Sequence, residues 1–376
     1  MVTVKEAVTK REKRIFVDFP NKMYKDVEPF VPAMYGDDLS DWDPKQNPAF
    51  EYCEAKCFLA FRDGKPVGRI GAILSHKAND IWGTNRMRFS QVDFIDDDEV
   101  SAALFKAVED WAREKGCDQV HGPLGFSDLD REGMLVEGFD RRNMFITYYN
   151  YPYYNDHLTR LGYRKDTDWV EYKIYVPQKG SKTLDTLHRV AEHVKQRRGY
   201  HTAEIRRQRD YKPYVEKVFR LINEAYAPLY GVVPLTERQI LRYTKKFLPL
   251  VSPDTACFVM DEQENLMAFG VAAPSMAAAL KKSRGRLFPF GWIGVLRSLK
   301  KNTALDMFLI AVRPDLQGNG INAVVLDYLA ERAIKNGIVY AETGPQLETN
   351  SKILAQWKSF DKELHKRRRC YIKDLT

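Results

Sequence analysis

The chain contains an internal repeat, and this repeat constrains the fold more than any single motif. Residues 57–72 read C-F-L-A-F-R-D-G-K-P-V-G-R-I-G-A, and residues 257–273 read C-F-V-M-D-E-Q-E-N-L-M-A-F-G-V-A-A. Each segment is a short apolar run, a polar turn and a second apolar run, which is the pattern of a β-hairpin. Two tandem units therefore explain the 376 residues better than one large domain.

The spacing between the two copies grows along the chain. The hairpins are 200 residues apart, whereas the helical patterns that follow end at Gly116 and Gly337, which are 221 residues apart. About 21 residues were therefore added to the second copy, between its hairpin and the next strand. This stretch contains Lys281–Lys301, so we interpret that basic segment as an insertion into the repeat.

The second copy contains the sequence V-R-P-D-L-Q-G-N-G-I-N, from Val312 to Asn322. An apolar run, Met307–Val312, precedes it, and a helical pattern, Ala323–Lys335, follows. A tight turn between a strand and a helix leaves unpaired N–H groups at the start of the helix, where the helix dipole is positive. Such a turn favours binding of an anion, and of a phosphate above all.

The sequence of this turn resembles the pyrophosphate loop of the GCN5-related N-acetyltransferase (GNAT) superfamily. Gln317-x-x-Gly320-x-Asn322 is similar to the usual Gln/Arg-x-x-Gly-x-Gly/Ala, with Asn322 in place of a small residue. The resemblance implies that the loop holds acetyl-CoA or a longer acyl-CoA as a substrate. It places the cofactor contacts at Ile310, Val312, Gln317, Gly318, Asn319, Gly320, Ile321, Asn322 and Asn350.

The resemblance also implies the fold. We predict an α/β (mixed α+β) protein with two GNAT-like units, each a mixed, mostly antiparallel, twisted sheet flanked by helices. The first unit spans residues 1–176 and the second spans 200–376. The linker, 177–199, contains a bridging helix with apolar residues at helical spacing from Leu184 to Arg197.

We predict that only the second unit binds the cofactor. In the first unit the position before the helix Ser101–Lys115 is occupied by the acidic run Asp96–Glu99. These carboxylates suit a helix N-terminus, but they would repel a pyrophosphate by roughly 1 kcal/mol each in water. The first unit is therefore expected to be structural or to shape the substrate.

The catalytic residues are less clearly marked. GNAT enzymes need a base for the attacking ammonium and an acid for the departing thiolate. The superfamily's usual acid is a tyrosine in a pattern like N-x-x-A-x-x-x-Y, and here Trp357 occupies that position. An indole N–H can donate a hydrogen bond but does not release a proton usefully. Candidate bases are Glu342, Asp306 and Glu348, each of which is also consistent with a solvated or capping carboxylate.

Lys281–Lys301 mixes seven cations with large apolar residues and contains no acid. These seven account for most of the net charge of +8. Two interpretations stay open: an amphipathic hairpin packed on the neighbouring unit with its cations in water, or peripheral contact with an anionic membrane. Its leucine and isoleucine content argues against nucleic acid.

A glycine- and proline-rich loop follows His121 and runs to Asp140, with an aromatic cluster, Tyr148–Tyr154, beyond it. The loop resembles one in double GNAT-like bacterial proteins that include ceramide synthases, which implies acylation of lipid bases. Packing between the two halves is the alternative interpretation. We expect His121 to be a hydrogen-bonded residue at a strand end.

Bulk features exclude several classes. No apolar run approaches the roughly 20 residues of a membrane span, and the N-terminus has no signal-peptide core. Five scattered cysteines do not form a disulfide framework, and Cys53-x-x-x-Cys57 has no second ligand pair for a metal. We expect a cytoplasmic protein, with the inner membrane face as a peripheral location.

The function predicted from the sequence is transfer of an acyl group from coenzyme A to an amine, either a small molecule or a lipid amine at the membrane surface. One alternative is a GNAT-like protein that binds a ligand or partner without catalysis, which Trp357 and Asn322 favour. Another is aminoacyl transfer from tRNA, which the positive net charge permits.

Overall fold

The computed structural model describes residues 1–375, which pack as two compact units. The units do not follow chain order. Among the described residues, the first unit consists of Met1–Val170, Ala277–Val295 and 365–375, and the second consists of Glu171–Met276 and Leu296–Leu364.

This division differs from the linear boundaries expected from the sequence. The predicted linker, 177–199, lies within the second unit, and the basic insertion begins in the first unit. The final strand, which we expected to end the second unit, pairs with the first unit's sheet through Tyr371–Asp374. Strand pairing between distant parts of the chain, which no local pattern reports, determines which segments pack together.

The first half of the chain forms the following helices and strands: β1 (Thr3–Glu6), α1 (Lys10–Met23), α2 (Tyr35–Asp41), β2 (Cys53–Arg62), β3 (Lys65–Ser75), α3 (His76–Trp82), β4 (Arg86–Phe94), α4 (Asp98–Glu114), β5 (Gln119–Gly122), β6 (Met134–Glu137), α5 (Tyr153–Arg160) and β7 (Arg164–Tyr175). The second half continues with α6 (Lys182–Arg198), β8 (His201–Thr202), α7 (Lys212–Tyr226), α8 (Glu237–Phe247), β9 (Ala256–Met260), β10 (Leu266–Pro274), α9 (Ala277–Ser283), α10 (Gly291–Lys300), β11 (Ala304–Val312), α11 (Ile321–Lys335), β12 (Tyr340–Thr343), β13 (Gln346–Leu347), α12 (Ser351–Ala355) and β14 (Lys362–Asp374).

The two units have the same sheet pattern. In the first unit the strand order is β1-β2-β3-β4-β5-β14, and in the second it is β8-β9-β10-β11-β12-β7. In each sheet one pair is parallel, β4 with β5 and β11 with β12, and the other neighbours are antiparallel. The predicted fold class, a mixed α/β protein in which the strand pairing of each unit is mostly antiparallel, is confirmed.

Local sequence signals explain most helix ends. Helix α1 begins with a capping box in which Thr9 accepts from the Glu12 N–H and the Glu12 carboxylate accepts from the Thr9 N–H. Helix α8 begins with the same kind of capping box, formed by Thr236 and Gln239. Helix α6 ends at Gly199, which has a φ of 66°.

Some predicted elements are shorter, or of another kind. Strand β8, which follows the bridging helix, has only two residues, and α12 has only five. The insertion is not a hairpin of strands, because its two regular elements are the helices α9 and α10. Within residues 1–375, no helix combines the length and the hydrophobicity that crossing a membrane requires.

Candidate functional site

Strand β11 opens a gap in the second unit's sheet. Its parallel pairing with β12 runs from Ala304 to Met307, but β11 itself continues to Val312. On its other side, the register with β10 shifts between Val271 and Ala272, so that Phe308 bulges. Four apolar residues at this point, Met307, Phe308, Leu309 and Ile310, are only half-buried. An interior strand with half-exposed apolar residues leaves room for an extended ligand along its edge.

The predicted anion loop lies directly after this strand. Gly318 and Gly320 have φ values of 84° and 77°, in the left-handed region that glycine tolerates best. The N–H groups of Gly318, Gly320, Ile321 and Asn322 make no backbone hydrogen bond within the described residues. Helix α11 has no side-chain cap at Gly320, so neither these donors nor the positive end of the helix dipole is satisfied by a capping side chain.

The charges around the loop favour an anion. Asp315, the nearest acid before the loop, is held by Arg313 through two bonds of 2.7 Å. The Arg313 guanidinium keeps the pKa of Asp315 below its usual value, so this carboxylate stays paired. On α12, Lys352 donates from Nζ to Gln317 Oε1 at 3.0 Å, which brings a cation to the loop. No local sequence pattern indicated Lys352, because the two residues are 35 positions apart.

The other predicted cofactor residues lie around the same loop. Gln317 also donates from Nε2 to the Val312 carbonyl at 3.4 Å, and Ile310 accepts at its carbonyl from the Tyr226 hydroxyl at 3.0 Å. Asn319 is exposed at the tip of the turn, and Asn322 is half-buried in the first helical turn. Asn350 caps α12 by accepting from the Ile353 N–H at 3.3 Å.

Two of the predicted bases lie side by side. Asp306 on β11 and Glu342 on β12 are register partners, and partners in a parallel pair project from the same face. Met307, the next residue, packs on the opposite face with a cluster that contains Leu326 of α11. The two carboxylates therefore lie on the face away from α11. Asp306 is buried and Glu342 is half-buried.

A lysine adjoins this pair. Lys173 of β7 is the register partner of Glu342, and its Nζ lies 4.3 Å from the ring centroid of Tyr340. The third predicted base, Glu348, follows β13 and is half-exposed.

Trp357 is a core residue of the second unit. Its side chain is 2% exposed and packs in the cluster with Phe360, Leu326 and Ile174. The indole Nε1–H donates to Gln346 Oε1 at 3.0 Å. This hydrogen bond and burial give Trp357 a packing role. Another residue must therefore supply the proton that the superfamily's tyrosine donates from this position.

Tyr226 is the residue that the sequence analysis missed. It ends α7 and its hydroxyl reaches the Ile310 carbonyl in the half-exposed part of β11. A phenol is an ordinary proton donor near neutral and basic pH. Its contact with β11 spans 84 positions of sequence, which no local pattern could have indicated.

The matching helix of the first unit is already capped by carboxylates. Asp97 accepts from the Val100 N–H at the start of α4, and Arg62 binds Asp97 through two bonds of 2.8 and 2.9 Å. The Arg62 hydrogen bonds lower the pKa of Asp97. Glu99 accepts from the Val2 N–H at 2.8 Å. The N-terminal end of α4 is thus occupied by protein groups, in contrast to that of α11.

His121 and the cysteines occupy buried positions. Burial, followed by the charges of Arg88 and Arg86, lowers the pKa of His121 well below its usual value. Cys53 and Cys57 lie in the core of the first unit, and burial raises the pKa of the Cys53 thiol to about 11. Neither thiol is suited to nucleophilic chemistry in that state.

Comparisons with known proteins agree with this geometry. No protein-family model matches the chain. It is 27% identical to Protein YghO of Escherichia coli K12 over 379 aligned residues, covering 99% of this chain and 95% of that protein. It is 28% identical to a bacterial ceramide synthase of Caulobacter vibrioides, covering 78% of this chain and 75% of that protein.

Among solved structures, a tandem GNAT protein from the clavulanic acid biosynthesis pathway aligns with a TM-score of 0.57. The alignment covers 100% of this chain and 99% of that one, at 11% identity. This similarity establishes the fold: the chain consists of two GNAT-type units in tandem.

Proposed function

We propose that this tandem-GNAT chain is an N-acyltransferase whose second unit takes an acyl group from acyl-CoA and transfers it to an amine. One observation carries the proposal: the four unpaired N–H groups at the start of α11, from Gly318 to Asn322, adjoin the open edge of β11. A pyrophosphate fits these donors, and an extended pantetheine arm fits an unpaired strand edge. Lys352 adds a positive charge beside the phosphates.

The reaction needs proton transfers at the nitrogen and at the sulfur. In the proposed step the amine nitrogen attacks the thioester carbonyl, a C–N bond forms, and the C–S bond breaks to release the thiolate. Glu342 accepts the proton from the ammonium, because it is the more exposed of the two paired carboxylates. The nitrogen loses its second proton to solvent as the C–S bond breaks. The Tyr226 hydroxyl gives a proton to the thiolate and regains one from solvent.

A lipid amine is the acceptor that we favour. A relative of 28% identity is named a bacterial ceramide synthase, and ceramide is an N-acylated lipid base. An apolar gap of half-buried residues at Met307–Ile310 would also suit a long acyl chain better than an acetyl group.

The direct test is an acyl-transfer assay that follows release of free thiol from acetyl-CoA and from palmitoyl-CoA in the presence of a long-chain amine. We expect amine-dependent release, with palmitoyl-CoA preferred. Gly320→Asp should abolish it, because a carboxylate at the helix start repels the pyrophosphate. A Cβ at Gly320 meets only Val194 at 3.4 Å and Val190 at 3.7 Å, so the variant has space to fold.

Gly64→Asp is the matched control. Gly64 has a φ of 73°, close to the 77° of Gly320, and a Cβ there meets nothing within 4 Å. The Gly64→Asp variant therefore introduces the same kind of backbone strain as Gly320→Asp, but outside the second unit. Binding of acyl-CoA without any amine-dependent turnover would instead favour the alternative of a GNAT-like binding protein. Absence of binding to either acyl-CoA would contradict the proposal altogether.

A further inference from the structure

The segment that follows α9, including the first turn of α10, exposes three large aromatic side chains. Phe288 is 81% exposed, Phe290 is 74% exposed and Trp292 is 44% exposed. We call residues 287–292 the aromatic tip. Water-exposed rings of this size are unfavourable unless another surface covers them, since burying one side chain of this kind stabilises by about 1.5–3 kcal/mol.

The base of the tip is fixed to the first unit. The Arg286 guanidinium pairs with Asp18 at 2.7 Å and lies 4.3 Å from the ring centroid of Tyr35. The Tyr35 N–H donates to the Gly285 carbonyl at 2.9 Å. Lys281 also pairs with Glu28, and its hydrogen bond lowers the pKa of that carboxyl. The tip is therefore presented on an anchored support.

A turn that requires glycine sets the direction of the tip. Arg284 and Gly285 both have positive φ, 50° and 73°. A Cβ at Gly285 would lie 2.0 Å from the Ala33 carbonyl oxygen, so that no other residue fits without a shift of the backbone. The chain thus leaves α9 in one defined direction before it reaches the rings.

The charges beside the rings all have one sign. No Asp or Glu occurs between Glu264 and Asp306, whereas Lys281–Lys301 contains seven cations. Lys282 and Arg284 are exposed at the end of α9, and neither has an ion-pair partner within residues 1–375. On α10, Arg297 and Lys300 lie in the last turn. Within the first unit, Lys281 and Arg286 hold the base, and Lys282 and Arg284 stay available to an anionic surface.

We propose that the aromatic tip and its flanking cations dock the protein on the surface of an anionic phospholipid bilayer. Aromatic rings partition into the headgroup region, and adjacent Lys and Arg are attracted by acidic lipids. Charge complementarity distinguishes this occupant from a second copy of the chain, whose same segment carries the same positive charge. The inference rests on the tip alone and holds whether or not the second unit is an acyltransferase.

The test is co-sedimentation of the full-length protein with vesicles of phosphatidylcholine, with and without phosphatidylglycerol. We expect binding to the mixed vesicles that weakens as salt increases. Phe288→Ser with Phe290→Ser should reduce the partition coefficient by about tenfold or more. Lys282→Glu with Arg284→Glu should reduce it by at least about fivefold for each cation removed. The two pairs probe the rings and the charges independently, and each pair is exposed enough to leave the fold intact.

Matched controls come from elsewhere on the surface. Leu241 is 55% exposed on α8, and Lys179 is exposed before α6. Leu241→Ser and Lys179→Glu should leave vesicle binding unchanged. Three results would overturn the proposal: no binding to either vesicle, equal loss in the control variants, or a self-association in sedimentation velocity that the double serine variant abolishes.

Discussion

Lys352 and Gln317 link helix α12 to the anion loop, with Nζ and Oε1 3.0 Å apart. The lysine comes to the loop at the position where bound phosphates would add negative charge. We predict that Lys352→Glu weakens coenzyme A binding by at least about fivefold at low salt, because each nearby charge contributes roughly 1 kcal/mol. Titration calorimetry at two salt concentrations measures this. Lys358→Glu, an exposed neighbour in sequence, is the control. Equal effects of the two variants would show that only net charge matters.

Glu342 should act in the chemical step and not in cofactor binding. Glu342→Gln keeps the size of the side chain but removes the base, so kcat should fall by about a hundredfold or more. Its dissociation constant for coenzyme A should stay near that of the wild type. Glu348→Gln provides the comparison, and its kcat should not change. If Asp306→Asn alone stops turnover while Glu342→Gln does not, the base belongs to β11.

Tyr226→Phe removes the hydroxyl that contacts the Ile310 carbonyl. If this hydroxyl protonates the thiolate, kcat should fall and the basic limb of the pH profile should disappear, because the group that loses its proton there is gone. Steady-state kinetics across pH 6 to about 10 would measure it. If the KM for acyl-CoA changes while the pH profile does not, Tyr226 positions β11 and does not protonate the thiolate.

Trp357 should behave as a packing residue. Trp357→Ala should lower the free energy of unfolding by about 3–5 kcal/mol, as for other large buried aromatics. Trp357→Phe keeps a ring in the cluster and loses the bond to Gln346, so it should unfold more easily but keep kcat within about threefold. Urea unfolding combined with the transfer assay separates these effects. A loss of kcat of about a hundredfold in a stable Trp357→Phe protein would restore a catalytic role.

His121 should make the stability of the first unit depend on pH. Its pKa is lowered mainly by burial, so the folded protein keeps the imidazole neutral where the unfolded chain takes up a proton. This stability is present above about pH 6.5 and is lost as pH falls below it, by up to about 1.4 kcal/mol per unit. Urea unfolding at pH 7.5 and at pH 5.5 should show a smaller difference for His121→Gln than for wild type. The exposed His193→Gln should match wild type.

The sequence indicated the parts of the site that are local. The turn from Gln317 to Asn322 and the acidic start of α4 are set by neighbouring residues, and each is where the pattern placed it. The parts that sequence could not indicate depend on distant pairing. Lys352, Tyr226 and the β14 strand reach their partners across 35, 84 and more than 200 positions. Trp357 is a buried packing residue, and its position in the N-x-x-A-x-x-x-Y pattern could not indicate this burial.

The central claim is that one unit of the two binds acyl-CoA. The most direct measurement is a crystal structure of the full-length chain with coenzyme A, together with the calorimetric stoichiometry. We predict one molecule per chain, with its pyrophosphate on the N–H groups of Gly318, Gly320, Ile321 and Asn322 and its pantetheine along β11. Two molecules per chain, or a pyrophosphate at the start of α4 beside Asp97, would contradict the claim.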